Sequence, residues 1–196
     1  MSASWRPIAV LDANVLYSAP LRDLLIRLAI DGQYQARWTD RILDECFDNL
    51  LANRPDLNAV ALARTRDLLG RAVRAAAVTG YEHRAHELTL PDPDDVHVLA
   101  AALHADATVI VTANLADFPD AILSPLGIEA IGPDRFVARL VAQDWEGVMD
   151  IIERQAAALA SPPMTASDVL DALARNGMSD TVDALRAQLE IDVPES

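Results

Sequence analysis

The stretch Ile8-Ala9-Val10-Leu11-Asp12-Ala13-Asn14 decides the fold, because an apolar run of four residues ends abruptly at a carboxylate. A run this short and this apolar predicts a central parallel strand, buried on both faces of its sheet. Ligands collect outside the carboxyl ends of such strands, which is where Asp12 and Asn14 would lie. Asp12 could equally cap the turn that follows it, so this stretch by itself leaves a structural and a functional role open.

Strand-like and helix-like segments alternate from this first strand onward. Apolar and β-branched runs predict further strands over 34–38, 76–79, 108–111 and 128–131, and helical periodicity predicts helices over 20–31, 40–53, 59–75, 96–104, 119–126 and 133–141. Alternation of this kind indicates a three-layer α/β/α fold with a central parallel sheet. From Trp145 the strands cease and three helices follow. We therefore predict an α/β domain over residues 1–142 and a small all-helical domain over residues 143–196.

The charge is unevenly distributed along the chain. The net charge is −14, and residues 140–196 contribute −8 of it with 3 Arg against 11 acids. All 16 basic residues are Arg, so the chain contains no Lys. The excess of acidic residues argues against a protein that binds nucleic acid irrespective of sequence, because such binding relies on positive charge. It does not exclude an enzyme that holds phosphate through bound cations.

The single cysteine, Cys46, allows neither an internal disulfide nor a cysteine zinc site. Without a signal peptide or an apolar run of about 18 residues, we expect a cytoplasmic protein that makes no membrane contact.

One segment is locally basic. Between Arg54 and Arg84 there are six Arg against three acids, most of them on the predicted helix over 59–75. A solvated helix face is the ordinary explanation for such a run. The alternative is contact with an anionic partner, for which the candidates are Arg64, Arg66, Arg71 and Arg74.

Several acids end strands or open helices. Asp12, Glu45, Asp117 and one of the pair Asp94 and Asp95 share this placement, with the amides of Asn14 and Asn114 nearby in sequence. Carboxylates that converge on one cleft repel each other unless a cation lies between them. Oxygen ligands favour Mg²⁺ or Mn²⁺, which bind phosphate and activate water. The acids therefore predict cation-dependent phosphoryl chemistry.

The order and spacing of four motifs resemble a known family. They are Leu-Asp-Ala-Asn-Val-Leu at a strand end, Ile42-Leu43-Asp44-Glu45 in a helix, Asp-Pro-Asp-Asp before an Ala-rich helix, and Val-Thr-Ala-Asn-Leu-Ala-Asp-Phe. Over roughly residues 6–140 they are similar to the PIN domain, particularly to VapC-type toxins, a subset of which carries a C-terminal helical domain. The resemblance implies a catalytic, metal-binding quartet of Asp12, Glu45, Asp95 and Asp117. Asp95 is preferred to Asp94 because of its distance from the apolar run Val98-Leu99-Ala100-Ala101, and the supporting polar positions are Asn14, Asp94, Thr112 and Asn114.

The same resemblance implies a function and its partners. It implies a Mg²⁺-dependent endoribonuclease, with Mn²⁺ as a substitute, that hydrolyses RNA phosphodiester bonds as the toxin of a toxin–antitoxin pair. The expected partners are the RNA substrate, a cognate antitoxin and a second copy of the chain in a homodimer. The C-terminal helices are predicted to pack on the α/β domain or on another protein, and the antitoxin is the favoured partner.

Other interpretations remain open at this point. Taken singly, each acid could be a cap or a surface ion pair, such as Glu45 with Arg41 four residues before it. The opening motif also resembles haloacid dehalogenase-type phosphatases with Asp12 as nucleophile, although those enzymes usually have an acid at the position of Asn14 and a nearby Lys. A catalytically silent PIN binding module is a third class. His97 and His104 on the Ala-rich helix are alternative ligands, but histidines on apolar helices are more often core residues.

Overall fold

A four-stranded parallel sheet forms the centre of the computed structural model, which describes residues 5–191. The strands are β1 (Ile8–Leu11), β2 (Gln35–Arg37), β3 (Val109–Val111) and β4 (Glu129–Ile131), in the order β2-β1-β3-β4. Ala9, Val10 and Leu11 are all fully buried, and since successive strand residues point to opposite faces, the sheet is covered on both sides. The predicted three-layer α/β/α arrangement with a central parallel sheet is confirmed.

Ten helices surround the sheet within residues 5–191. They are α1 (Ala19–Ile30), α2 (Asp40–Asn53), α3 (Ala59–Ala72), α4 (Glu82–Ala85), α5 (Val96–His104), α6 (Asp120–Leu123), α7 (Pro133–Val141), α8 (Trp145–Ala158), α9 (Ala166–Arg175) and α10 (Ser179–Ile191). Their starts follow local capping chemistry. Thr39 accepts a hydrogen bond from the amide of Ile42 at the start of α2, and Thr165 and Asp168 form a capping box at the start of α9.

The predicted strand over 76–79 is wrong. Arg74–Ala76 form a turn of 3₁₀ helix, and beyond it only Ala77 pairs with Trp38 in a single parallel bridge. The physical reason is that the neighbouring strand, β2, ends at this point. Trp38 is followed directly by Thr39, which already caps α2, so the chain offers no further residues for a ladder.

The sheet order creates a cleft between β1 and β3. After β1 the chain crosses to β2 on one side, and it later returns to β3 on the other side of β1. In parallel sheets the point where the strand order reverses opens a crevice at the carboxyl ends of the two central strands. Asp12 follows β1 and Thr112 follows β3, so the topology brings both to this crevice.

The C-terminal helices share the core of the α/β part. Val148, Ile152, Leu173 and Leu185 are fully buried and belong to one apolar cluster with the residues of β1. This agrees with the prediction that the helices pack on the α/β domain. Residues 1–4 and 192–196, which belong to the two predicted domains, lie outside the described residues, and the boundary at residue 142 itself stays a prediction.

Asp134 of α7 links the two regions directly. Its carboxylate accepts hydrogen bonds from the backbone amides of Asp180 (2.9 Å) and Thr181 (2.8 Å) in the first turn of α10. The hydroxyl of Thr181 donates to the backbone carbonyl of Asp134 at 2.9 Å. The start of α10 is therefore capped by Asp134 of α7.

Candidate active site

Asp12 lies at the carboxyl end of β1 with only 5% of its surface exposed. Its backbone amide donates to the carbonyl of Val111 at 3.0 Å, which continues the β1–β3 ladder up to the site. One carboxylate oxygen accepts from the amide of Ala13 at 2.7 Å and caps the 3₁₀ turn Ala13–Leu16. The capping role foreseen from sequence is thus real, but it uses one oxygen and leaves the other for the cleft.

The second oxygen of Asp12 accepts from two residues that follow β1 and β3 in the chain. Oδ2 accepts from the Thr112 hydroxyl at 2.7 Å and from the amide group of Asn14 at 2.5 Å. Burial raises the pKa of Asp12 above its ordinary value, and the hydrogen bonds from Thr112 and Ala13 offset only part of that increase. The carboxylate is therefore rigidly held in an environment that disfavours its negative charge.

The supporting polar residues join the two strand ends. Asn14 also donates to Thr112 Oγ1 at 3.1 Å and accepts from the amide of Ala113 at 2.9 Å. The backbone amide of Asn114 donates to Thr112 Oγ1 at 3.0 Å, and its side chain donates to the carboxylate of Asp117. Thr112 is completely buried. Asn14, Thr112 and Asn114 thus fix the orientation of the acids at both strand ends.

A second group of acids lies near Asp12. Asp92, Asp95 and Asp117 each present a carboxylate oxygen, and these oxygens all lie within 4.8 Å of one another. Burial raises the pKa of Asp95 to about 7, and the charges of Asp12, Asp117 and Asp92 contribute to the increase. Like charges held this close favour either a shared proton or a bound cation.

Glu45 approaches the cleft from α2. Its Oε1 lies 2.9 Å from Nε of Arg41 and 3.2 Å from Nε2 of His97, and its charge adds to the raised pKa of Asp12. Arg41 also donates to the backbone carbonyl of Asp94 at 3.3 Å. Glu45 is not part of the close group formed by Asp92, Asp95 and Asp117, but it lines the crevice together with Asp95.

The crevice between these walls has a volume of about 720 Å³. Its acidic and amide lining comprises Asp12, Asn14, Glu45, Asn49, Asn53, Asp94, Asp95 and Asn114. Cys46 also borders it, but burial raises the pKa of this thiol to about 11, so it remains protonated at neutral pH. The available donors are therefore oxygens, which fit Mg²⁺ or Mn²⁺ and do not fit a zinc site of thiolates.

Three members of the predicted quartet, Asp12, Glu45 and Asp95, line the crevice, and the fourth, Asp117, lies beside Asp95. The four acids do not form a single close cluster, and their role stays a prediction. Sequence reasoning missed Asp92 as a member of the close group. The sequence feature that could have indicated Asp92 is its position as the first acid of the Asp-Pro-Asp-Asp motif. Its side chain also accepts a hydrogen bond from the amide of Asp94 at 2.9 Å and caps the turn Pro93–Asp95. Asp94 lines the cleft but is exposed, in line with the preference for Asp95.

The four candidate arginines on α3 and the turn after it differ in their surroundings. Arg66 pairs with Asp44 at 2.7 Å and with Asp40 at 3.2 Å, both on α2, so its charge is already compensated. Arg64, Arg71 and Arg74 are exposed and form no ion pair in the part of the chain that the structure describes. They are the arginines whose charge remains available to a partner.

An apolar groove lies on another side of the molecule, between α1, α3 and the C-terminal helices. It has a volume of about 650 Å³. Its apolar lining includes Ile26, Ile30, Leu68, Leu159 and Met164, of which Ile30 is 60% and Leu68 52% exposed. In residues 5–191, no helix has both the length and the apolar character needed to cross a membrane.

Comparison with known proteins divides the chain into two matched stretches. Residues 9–116 match the family profile of the PIN domain, and residues 133–187 match that of the VapC50 C-terminal domain. A curated protein named "Putative ribonuclease VapC50", from Mycobacterium tuberculosis (strain ATCC 25618 / H37Rv), is 43% identical over 79 residues. That alignment covers 40% of this chain and 47% of the relative, so the chain matches less than half of the relative's length. No solved structure matches.

Proposed function

Because the chain belongs to the PIN-domain family, we propose that it is a divalent-cation-dependent endoribonuclease acting as the toxin of a toxin–antitoxin pair. The observation that carries the proposal is the group of acids around Asp95: Asp92 and Asp117 lie beside it, the charge of Asp12 acts on it, and burial together with these charges raises its pKa to about 7. Acids that are held together in spite of burial and mutual repulsion point to a bound cation as part of the working site.

The residues of the cleft fit Mg²⁺, with Mn²⁺ as a substitute. Asp12, Glu45, Asp95 and Asp117 would hold the cation, and Asp92 joins them on the evidence of its distance to Asp95 and Asp117. When bound, the cation supplies positive charge for the scissile phosphodiester and acts as a Lewis acid. It also offsets the mutual repulsion of the acids, which explains how they can be ionised together at neutral pH.

The chain's own contribution is orientation. Thr112 and Ala13 hold the Asp12 carboxylate in one position, and Asn114 holds that of Asp117. Preorganised groups of this kind lower a reaction barrier because they need no rearrangement when the substrate arrives. The exposed amides of Asn14 and Asn114 border the crevice and would face an RNA strand lying in it.

The surroundings of Asn14 argue against a phosphatase of the haloacid dehalogenase type. That chemistry needs a side chain that gives and recovers a proton beside the nucleophile. Both ends of the Asn14 amide are already used, as donor to Asp12 and Thr112 and as acceptor from Ala113. The chain also has no Lys to neutralise an aspartyl-phosphate.

We propose that the antitoxin binds the apolar groove and the arginines beside it. On α3, Arg64 lies about one turn before the groove residue Leu68 and Arg71 about one turn after it, on the same side of the helix. An exposed apolar surface bordered by unpaired positive charge suits an acidic amphipathic segment. RNA contact by Arg64, Arg71 and Arg74 is the competing proposal, and the expected homodimer stays a prediction.

Cleavage assays with purified protein test the nuclease proposal. Wild type should cleave single-stranded RNA with Mg²⁺ or Mn²⁺ and lose activity in EDTA. Asp12→Asn and Asp117→Asn should each lose at least a hundredfold in rate, because they remove a charged oxygen and keep the shape. Asp120→Asn, an exposed acid outside the cleft, is the matched control and should cleave at the wild-type rate. Wild-type rates in Asp12→Asn, or full activity in EDTA, would contradict the proposal, and no cleavage of any RNA would favour the silent binding module.

A further inference from the structure

His97 is a buried histidine whose ring nitrogens have no hydrogen-bond partner among residues 5–191. It lies on α5, two residues after Asp95, with 5% of its surface exposed. Buried polar atoms in folded proteins are nearly always hydrogen-bonded, so an unpaired imidazole beside an acidic cleft calls for an explanation. A leucine or phenylalanine would fill the same space without leaving two polar atoms unpaired.

The polar atom that His97 approaches is a carboxylate oxygen of Glu45. Nε2 of His97 lies 3.2 Å from Oε1 of Glu45, a hydrogen-bond distance, although the orientation of the two groups falls short of hydrogen-bond geometry. On its other side the same oxygen contacts Nε of Arg41 at 2.9 Å. Glu45 therefore lies between an exposed guanidinium and a buried imidazole.

These two neighbours differ in how firmly they can hold Glu45. The side chain of Arg41 is 50% exposed, and exposed ion pairs are weak because water and salt compete for both charges. The side chain of His97 is 4% exposed, so packing fixes its ring and water does not compete for its N–H. The more rigid constraint on the Glu45 carboxylate is therefore the imidazole.

We infer that His97 is a positioning residue for Glu45, whose Nε2–H directs the Glu45 carboxylate toward the cation in the cleft. This inference rests on the proposed function. His97 does not border the crevice and both its nitrogens are buried, so it acts through Glu45 and is not a ligand itself. Outer groups that hydrogen-bond to a ligating carboxylate fix its direction, and their loss typically weakens metal affinity about 10–100-fold.

Calorimetric titration of the full-length protein with Mn²⁺ tests the inference. His97→Leu keeps the apolar packing and removes the donor, so the Kd for Mn²⁺ should rise about tenfold. His97→Gln restores an N–H donor and should recover most of the affinity. The melting temperature of the cation-free His97→Leu protein should equal or exceed that of wild type, because the buried Nδ1, which has no hydrogen-bond partner among residues 5–191, is gone. Weaker cation binding by an equally stable protein is a result that a purely structural histidine would not give.

A double-mutant comparison separates action through Glu45 from a general effect. In the Glu45→Ala background, adding His97→Leu should change the Kd by less than twofold, because the carboxylate to be positioned is absent. His104→Leu, at the other end of α5 and away from the crevice, is the matched control and should bind like wild type.

Three results would overturn the inference, and they can be told apart from failure of the proposed function. Wild-type affinity in His97→Leu would exclude positioning by His97. So would an equal loss with and without Glu45, or no recovery in His97→Gln. In each of these cases the proposed function would remain intact if wild type binds Mn²⁺ and Asp12→Asn loses that binding. If wild type binds no Mn²⁺, the proposed function fails and the inference fails with it.

Discussion

The Thr112 hydroxyl donates a 2.7 Å hydrogen bond to the Asp12 carboxylate, across a separation of one hundred residues in the chain. Thr112 also accepts from Asn14 and from the backbone amide of Asn114. A single buried hydroxyl therefore connects the ends of β1 and β3. This contact makes the position of Asp12 depend on the sheet order, because only adjacent strands can place the two side chains together.

Replacing Thr112 by Val should uncouple the two strand ends. Valine keeps the branched shape, but it removes one of the two donors to Oδ2 of Asp12 and leaves the backbone amide of Asn114 without the hydroxyl that it donates to. Because unpaired buried groups cost about 1–3 kcal/mol, we expect denaturant melts to show a loss of that size. The rate of RNA cleavage should fall with it. Thr112→Ser keeps the hydroxyl and is the control; equal losses in both variants would mean that the methyl group, and not the hydrogen bonds, is what matters.

The raised pKa of Asp95 predicts how the stability of the cation-free protein changes with pH. The pKa rises from 3.8 to about 7 on folding. Between these values the folded protein holds a proton that the unfolded chain has released, so this group lowers the free energy of unfolding as pH increases, and its effect levels off above about pH 7. His97 acts in the opposite direction, because burial lowers its pKa from 6.5 to about 4.

The difference between wild type and Asp95→Asn isolates the contribution of Asp95. Across pH 5 to 8 wild type should lose stability relative to Asp95→Asn, and saturating Mn²⁺ should abolish the loss because the cation replaces the proton. Asp94→Asn, an exposed neighbour, should behave like wild type. If the difference in the free energy of unfolding between wild type and Asp95→Asn stays constant over this pH range without cation, the pKa of Asp95 is not raised.

Arg71 and Arg74 should contribute to binding a negatively charged partner. Changing both to Gln removes two unpaired charges, so affinity for the antitoxin or for RNA should fall and its dependence on salt should flatten. Fluorescence titrations at low and high salt with each partner would identify which one is bound. Arg54→Gln is the matched control, since this exposed arginine is already paired with Asp56 at 2.7 Å. Unchanged affinity for both partners would leave the three arginines as a solvated surface.

Asp134→Ala should destabilise the C-terminal helices by removing the cap of α10. Loss of a capping carboxylate costs about 0.5–2 kcal/mol, whereas Asp134→Asn keeps one accepting oxygen and should cost less.

Calorimetry also tests the boundary predicted at residue 142. A single transition that shifts as a whole would show one cooperative unit, and a separate, earlier transition would show that residues 143–196 unfold independently.

The sequence by itself determined the elements and their class. Hydrophobic periodicity and capping residues act over a few positions, so α2 and α7 could be predicted from neighbouring residues alone. The short apolar run that ends at Asp12 predicted the central strand for the same reason. The prediction of a strand over 76–79 failed because a strand also needs a partner, and no local pattern reveals that β2 ends at Arg37 and leaves only Trp38 to pair with Ala77.

Only the tertiary structure decided which groups meet. Sequence order placed Asp92 in a turn and His97 on an apolar helix, and nothing local indicates that Asp92 lies beside Asp117 or that His97 faces Glu45. The pairing of Arg66 with Asp40 and Asp44 was equally hidden, because it joins separate helices. Electrostatic and hydrogen-bond energies depend on distances across the fold, and those distances are set by strand order and helix packing. The chemistry of each side chain could therefore be predicted from the sequence, whereas the residues that surround it in space could not.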